Sequence, residues 1–164
     1  MMLVPHSYIG KQIGIFGQQG NLPSNSYTWA PGEVIGTYFT AQRNGLIFEQ
    51  LCRVNSVNPG NRMKAAIFNL TGPDSANNGL ISPDEVNFGT SDSILSFRQN
   101  KFIQGGQDYV LVFQAEDECN YWFDNALSNF YFNIGAYAFG SIPNSFTGVF
   151  TNLNICQYWA KYYF

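Results

Sequence analysis

Within the stretch from Glu116 to Asn125 this chain gathers Glu116, Asp117, Glu118 and Asp124 around Tyr121, Trp122 and Phe123. Two chemistries use such a set. Two acids facing each other across a groove suffice for glycoside hydrolysis, and Glu118 with Asp124 is the pair the sequence offers. An aromatic plate beside carboxylate and amide groups instead holds a sugar without cleaving it. Tyr121 and Trp122 would stack on the apolar face of the ring, while Asp124 and Asn125 would meet its hydroxyls. Against both stands a scaffold reading, in which the acids keep an aromatic protein soluble and Trp122 plugs one end of the fold. The oxygens of this stretch, or of Asp74, Asn77 and Asn78, also suit calcium, although neither segment has EF-hand spacing.

Other catalytic chemistry lacks its residues. His6 is the only histidine, which excludes a histidine-based triad or a multi-histidine zinc site. No GxSxG elbow, GxxxxGKS/T loop or GxGxxG turn occurs, so the usual markers of hydrolases and nucleotide binding are missing. The reading is therefore non-catalytic, with no cofactor and no metal centre. Cys52, Cys119 and Cys156 are odd in number and far apart, and at most one intrachain disulfide is open to them. Reduced thiols packed as small core residues are the simpler expectation.

These residues have to be positioned by strands. In FIQGGQDYVLVFQA, Tyr109, Leu111 and Phe113 point one way and Val110 and Val112 the other, so a strand here is apolar on both faces, as one lying between two layers must be. Gly105 and Gly106 supply the reversal before it. Further strands are predicted over 34–41, 46–54, 63–70, 93–99, 130–139 and 155–164, each rich in β-branched or aromatic residues. Between them lie Asn44-Gly45, Asn58-Pro59-Gly60-Asn61 and a long insertion from Thr71 to Asp92. Only 82–86, with Ser82 to cap and Pro83 to start, suggests a short helix. Strands without crossover helices form antiparallel sheets, so the fold class is all-β, a two-sheet sandwich with a jelly roll as the leading topology and an immunoglobulin-like one second. Residues 31–164 make that domain. Residues 1–30, rich in Gly, Gln, Asn and Ser, read as an arm that lies over a neighbour or adds an edge strand, pinned by Trp29.

The final QYWAKYYF places Tyr158, Tyr162 and Phe164 on one face and Trp159 on the other. An aromatic row at a sheet surface needs cover, so Tyr158, Trp159, Tyr162 and Phe164 are the expected contacts of a homo-oligomer.

Composition narrows the partners. Charged residues make up 12% and aromatics 17%, and the net charge is −3, so the surface is neutral-polar and offers no basic stripe for nucleic acid. No run has transmembrane length, and the first residues lack the pattern of a secretory signal. Surface-like composition without that signal is expected of a component assembled in a host cytoplasm.

IGTYFTAQRNGLIFEQLCRV, AAIFNLTG, LSFRQNKFIQGGQDYVLVFQA and YFNIGAYAFGS, in that order, resemble the jelly-roll modules of bacteriophage virion proteins. The resemblance spans about 33–164. It implies a non-catalytic sandwich of a capsid decoration (cement) protein or small tail-fibre module, often trimeric, that binds other virion proteins or a cell-surface glycan.

Overall fold

A computed structural model describes residues 12–17, 25–125, 131–147, 150–152 and 154–164. The strands are, in chain order, β1 (Ile13–Gly17), β2 (Asn25–Trp29), β3 (Glu33–Thr40), β4 (Gly45–Ser56), β5 (Asn61–Gly72), β6 (Ser75–Ile81), β7 (Val86–Phe88), β8 (Ser93–Ile103), β9 (Asp108–Ala115), β10 (Cys119–Asn125), β11 (Tyr131–Ala136), β12 (Phe150–Asn152), β13 (Asn154–Cys156) and β14 (Tyr158–Tyr163). They form two antiparallel sheets packed as a jelly-roll sandwich, and the chain passes repeatedly from one sheet to the other.

Sheet I runs β1-β14-β4-β10-β13, with β8 also on β4 and β2 also on β10. Its spine is β4, long enough for two strands to share one flank. Leu46 to Cys52 pair with β14, and Val54 to Ser56 pair with β10. Gln157 fills the joint between those partners: its N–H donates to the Trp122 carbonyl (3.0 Å), and its carbonyl accepts from the Arg53 N–H (3.2 Å). Sheet II runs β12-β11-β3-β9-β5-β6, with β7 also on β5.

The core between the sheets follows from side-chain alternation. Tyr109, Leu111 and Phe113 of β9 meet Ile47, Phe97 and Tyr158 of sheet I. Val110 and Val112, on the opposite face, join Val34, Ala66 and Phe68 in a second cluster. Ile142 and Phe146 close that cluster from a segment laid over the outer face of sheet II. Gln114 fixes the segment. Its buried amide donates to the carbonyls of Gly32, Tyr137 and Ala138 and accepts from the Gly140 N–H. Sheet II is thus covered on both sides, as the doubly apolar β9 requires; on the outer face of sheet I, Leu51 and Trp159 are buried as well.

The described part of the expected arm is strand: β1 pairs with β14, and β2 pairs with β10. Phe16 and Trp29 belong to the core. Segment 82–86 is not helical. Ser82 Oγ instead accepts from the Asp84 N–H (3.1 Å) and donates to the Arg98 carbonyl (2.9 Å), in a turn between β6 and β7 that is tied to β8. The insertion from Thr71 to Asp92 carries β6 and β7, and the predicted last strand is divided at Gln157 into β13 and β14. His6 lies outside the described residues.

Candidate functional site

The acidic aromatic segment divides into a pinned turn and a strand. Arg62 Nε donates to Glu116 (2.6 Å), and Asn61 Oδ1 accepts from the Asp117 N–H (2.9 Å). Asn61 Nδ2 donates to the carbonyls of Asp117 (2.9 Å) and Glu118 (3.2 Å). Glu116 and Asp117 therefore build a corner between β9 and β10. Beyond it, β10 alternates. Cys119 and Tyr121 turn inward, and Trp122 turns outward, half-buried.

Tyr121 is thereby removed from any surface plate. Only 2% exposed, it meets Trp29 edge-on at 5.5 Å between ring centroids. The side chains of Asp124 and Asn125 lie outside the described ones, which leaves the separation from Glu118 outside the description as well. Tyr158, Trp159 and Tyr162 are buried within the single chain, and Phe164 packs at the margin of its core. The cover sought from a second subunit at Tyr158 and Tyr162 is the opposing sheet: Phe113 lies 4.4 Å from Tyr158, ring to ring.

Trp122 instead joins residues that sequence proximity does not link. By register, β10 brings Asn120 opposite Asn55, and β8 brings Ile94 opposite Arg53. The Arg53 guanidinium lies 5.7 Å from the centroid of the Trp122 ring. Asp92, just before β8, binds both: Arg53 Nε donates to its two oxygens at 3.0 Å, and Trp122 Nε1 donates to Oδ1 at 3.1 Å. A second guanidinium nitrogen, Nη2, completes the bidentate pair. Hydrogen bonding from Arg53 holds the Asp92 carboxyl below its usual range despite partial burial, and the same pairing raises Arg53. Arg53, Asp92, Ser93 and Ile94 line an open depression of about 260 Å³. Beside it, Thr28 Oγ1 donates to Asn120 Oδ1 at 2.9 Å.

The result is an aromatic ring locked in orientation on the outer face of sheet I, flanked by a guanidinium, a carboxylate and amides. A rotor-poor plate with charge-ordered neighbours can stack against a flat apolar ligand face and exchange hydrogen bonds with its rim. Nothing in the local sequence announced Arg53, Asp92 or Ile94, because only strand register unites them. Asn120 was legible in principle from the in-out alternation of CNYWFDN, which the preceding acids obscured. Among the described residues no three His, Cys, Asp or Glu side chains converge as a metal site.

No protein-family model matches the chain, and no curated protein matches it. Among solved structures, the cysteine protease and lectin-like domains of Cwp84, a surface layer associated protein of Clostridium difficile, align with a TM-score of 0.51 at 7% identity over 88% of this chain and 37% of that one. Infectious bursal disease virus, Gt strain, aligns at 0.41 with 12% identity over 99% of this chain and 45% of the viral one. The Yersinia pseudotuberculosis-derived mitogen aligns at 0.34 with 12% identity, over 67% and 80%. The chain thus spans less than half of the first two proteins, and the likeness to the first is one of fold.

Proposed function

We propose that this chain is a non-catalytic β-sandwich module that binds a carbohydrate on the outer face of sheet I, with Trp122 as the stacking plate and Arg53 and Asp92 as the hydrogen-bonding rim. The observation that carries the reading is the double use of Asp92, which fixes the indole through Nε1 and the guanidinium through two bonds while leaving an open depression beside them. A site held this way loses little side-chain entropy when a ligand arrives. The lectin-like domain named for the clostridial protein is consistent with it.

A glycan array probed with the full chain tests the proposal. Selective binding that falls at least roughly tenfold in both Trp122→Ala and Arg53→Ala is the expected result, equivalent to about 1.4 kcal/mol. Absence of binding, or binding unchanged in both variants while their melting curves match the parent, would sink it. Asp124 and Asn125 are carried as flanking contacts, tested on the same array by Asp124→Ala and Asn125→Ala. Cleavage of any bound glycan, abolished by Glu118→Gln, would overturn the non-catalytic part.

The setting proposed for this activity is a bacteriophage virion, as a decoration protein or fibre-like module attached through residues 1–30. The neutral-polar surface, with 12% charged residues, supports it. Proteomics of purified particles should find the chain at a stoichiometry tied to a capsid or tail protein. Its absence from particles whose genome encodes it would remove the setting and leave the carbohydrate reading intact.

A further inference from the structure

The Trp122 site continues sideways across the strands. Register sets Asn55 of β4, Asn120 of β10 and Thr28 of β2 in one row on the outer face of sheet I. A second row holds Ile94 of β8, Arg53 of β4, Trp122 of β10 and Ser26 of β2. Neighbouring strands lie about 4.8 Å apart, so four of them span about 14 Å, longer than a single sugar ring. At one end Ile94, 60% exposed, walls the depression beside Arg53, and at the other Ser26 and Thr28 present exposed hydroxyls.

The amides of the first row are set for a ligand. Thr28 Oγ1 donates to Asn120 Oδ1 at 2.9 Å, which orients that amide and leaves its Nδ2 to donate. Asn55, half-buried beside it, has its Oδ1 buried with no hydrogen-bond partner among the described residues. Buried acceptors are normally paired, and the terminal torsion of an asparagine turns easily. A ligand hydroxyl meeting this amide would satisfy an oxygen that the protein leaves without a donor. Charge narrows the ligand further. Asp92 binds Arg53 through two bonds, so the pair is neutral as a unit. Asn55, Asn120, Thr28 and Ser26 carry no charge, and the chain as a whole carries −3, which disfavours a carboxylated or sulfated sugar.

We propose that the ligand is a neutral oligosaccharide of about three units lying across β8, β4, β10 and β2, its central ring stacked on Trp122, one neighbour in the depression at Ile94 and the other on Asn120 and Thr28. The inference rests on the carbohydrate reading and adds to it the length and charge of the chain recognised. Thr28 and Asn120 then act as specificity residues: they touch only a ligand long enough to pass beyond the indole.

The test uses the full chain on an array of neutral and acidic glycans, from single sugars to hexasaccharides, followed by calorimetry on the length series of the sugar that binds. Affinity should rise about tenfold or more from the single sugar to about three units and then level off. Thr28→Ala and Asn120→Ala should each weaken the trisaccharide by about threefold or more and move the plateau to about two units, with melting curves that match the parent. Equal affinity for the single sugar and the longer chains overturns the inference, as does a preference for acidic glycans, and either result leaves carbohydrate binding standing. A length dependence unchanged in both variants overturns it as well. A chain that binds no glycan on the array removes the carbohydrate reading itself, and this inference with it.

Discussion

Inside the sandwich, Gln50 is the residue whose polarity costs most if left unanswered. Fully buried on β4, it donates through Nε2 to the carbonyls of Ala66 (3.1 Å) and Val112 (3.2 Å) and accepts from Gln99 (2.7 Å). It thus bolts sheet I to the middle of sheet II through an otherwise apolar layer. Gln50→Ala should lower stability by about 1–3 kcal/mol, read as a shifted denaturation midpoint, since the Gln99 amide loses its acceptor and a void opens. At the surface, Asp92 couples pH to the candidate site. Its folded carboxyl titrates below the ordinary 3.8, so the stability it contributes is complete above that value and is lost as pH falls through the lowered one. Tryptophan fluorescence of the parent should therefore change in an acid step that Asp92→Asn lacks. Residue-level chemistry was legible in the sequence only in part. Trp122 stood out by type, but Tyr121 looked equivalent to it until strand alternation sent one ring inward and the other outward.

Among the elements, β9 was readable because two apolar faces allow few positions, and the structure gives it the middle of sheet II. The acidic corner hid β10. Charge at 116–118 resembles a solvated loop, whereas Arg62 and Asn61 convert it into a tied turn that starts a strand at once. The cover over sheet II was equally obscure, since its anchor, Gln114, occurs within an apparently ordinary strand. That anchor is testable. Gln114→Ala should speed amide exchange at Gly140, whose N–H it accepts at 2.9 Å, and destabilise the chain by about 1–3 kcal/mol through carbonyls left without a donor. Gly32 closes the same region. It has a φ of +73°, and a Cβ there would lie 2.3 Å from the Tyr137 carbonyl oxygen. Gly32→Ala should cost about 1–3 kcal/mol, with the loss visible in the melting temperature.

At the scale of the whole molecule, the three thiols act as reporters of folding. Cys52, Cys119 and Cys156 are free and buried, and burial raises all three, pushing Cys156 up to about 12. A thiol reagent at neutral pH should find none in the native chain and all three after denaturation, so labelling rate measures global opening. Sheet class followed from the strand succession, but the cover over the outer face of sheet II did not, because it depends on where 137–147 is laid. Gln12 and Phe164 exchange both backbone hydrogen bonds, at 3.2 and 3.1 Å, at the start of the β1–β14 ladder. Tension applied between those two residues would load the rungs one after another rather than together. The sandwich should open like a zipper, β1 peeling away at low force before any bond of β4 is strained.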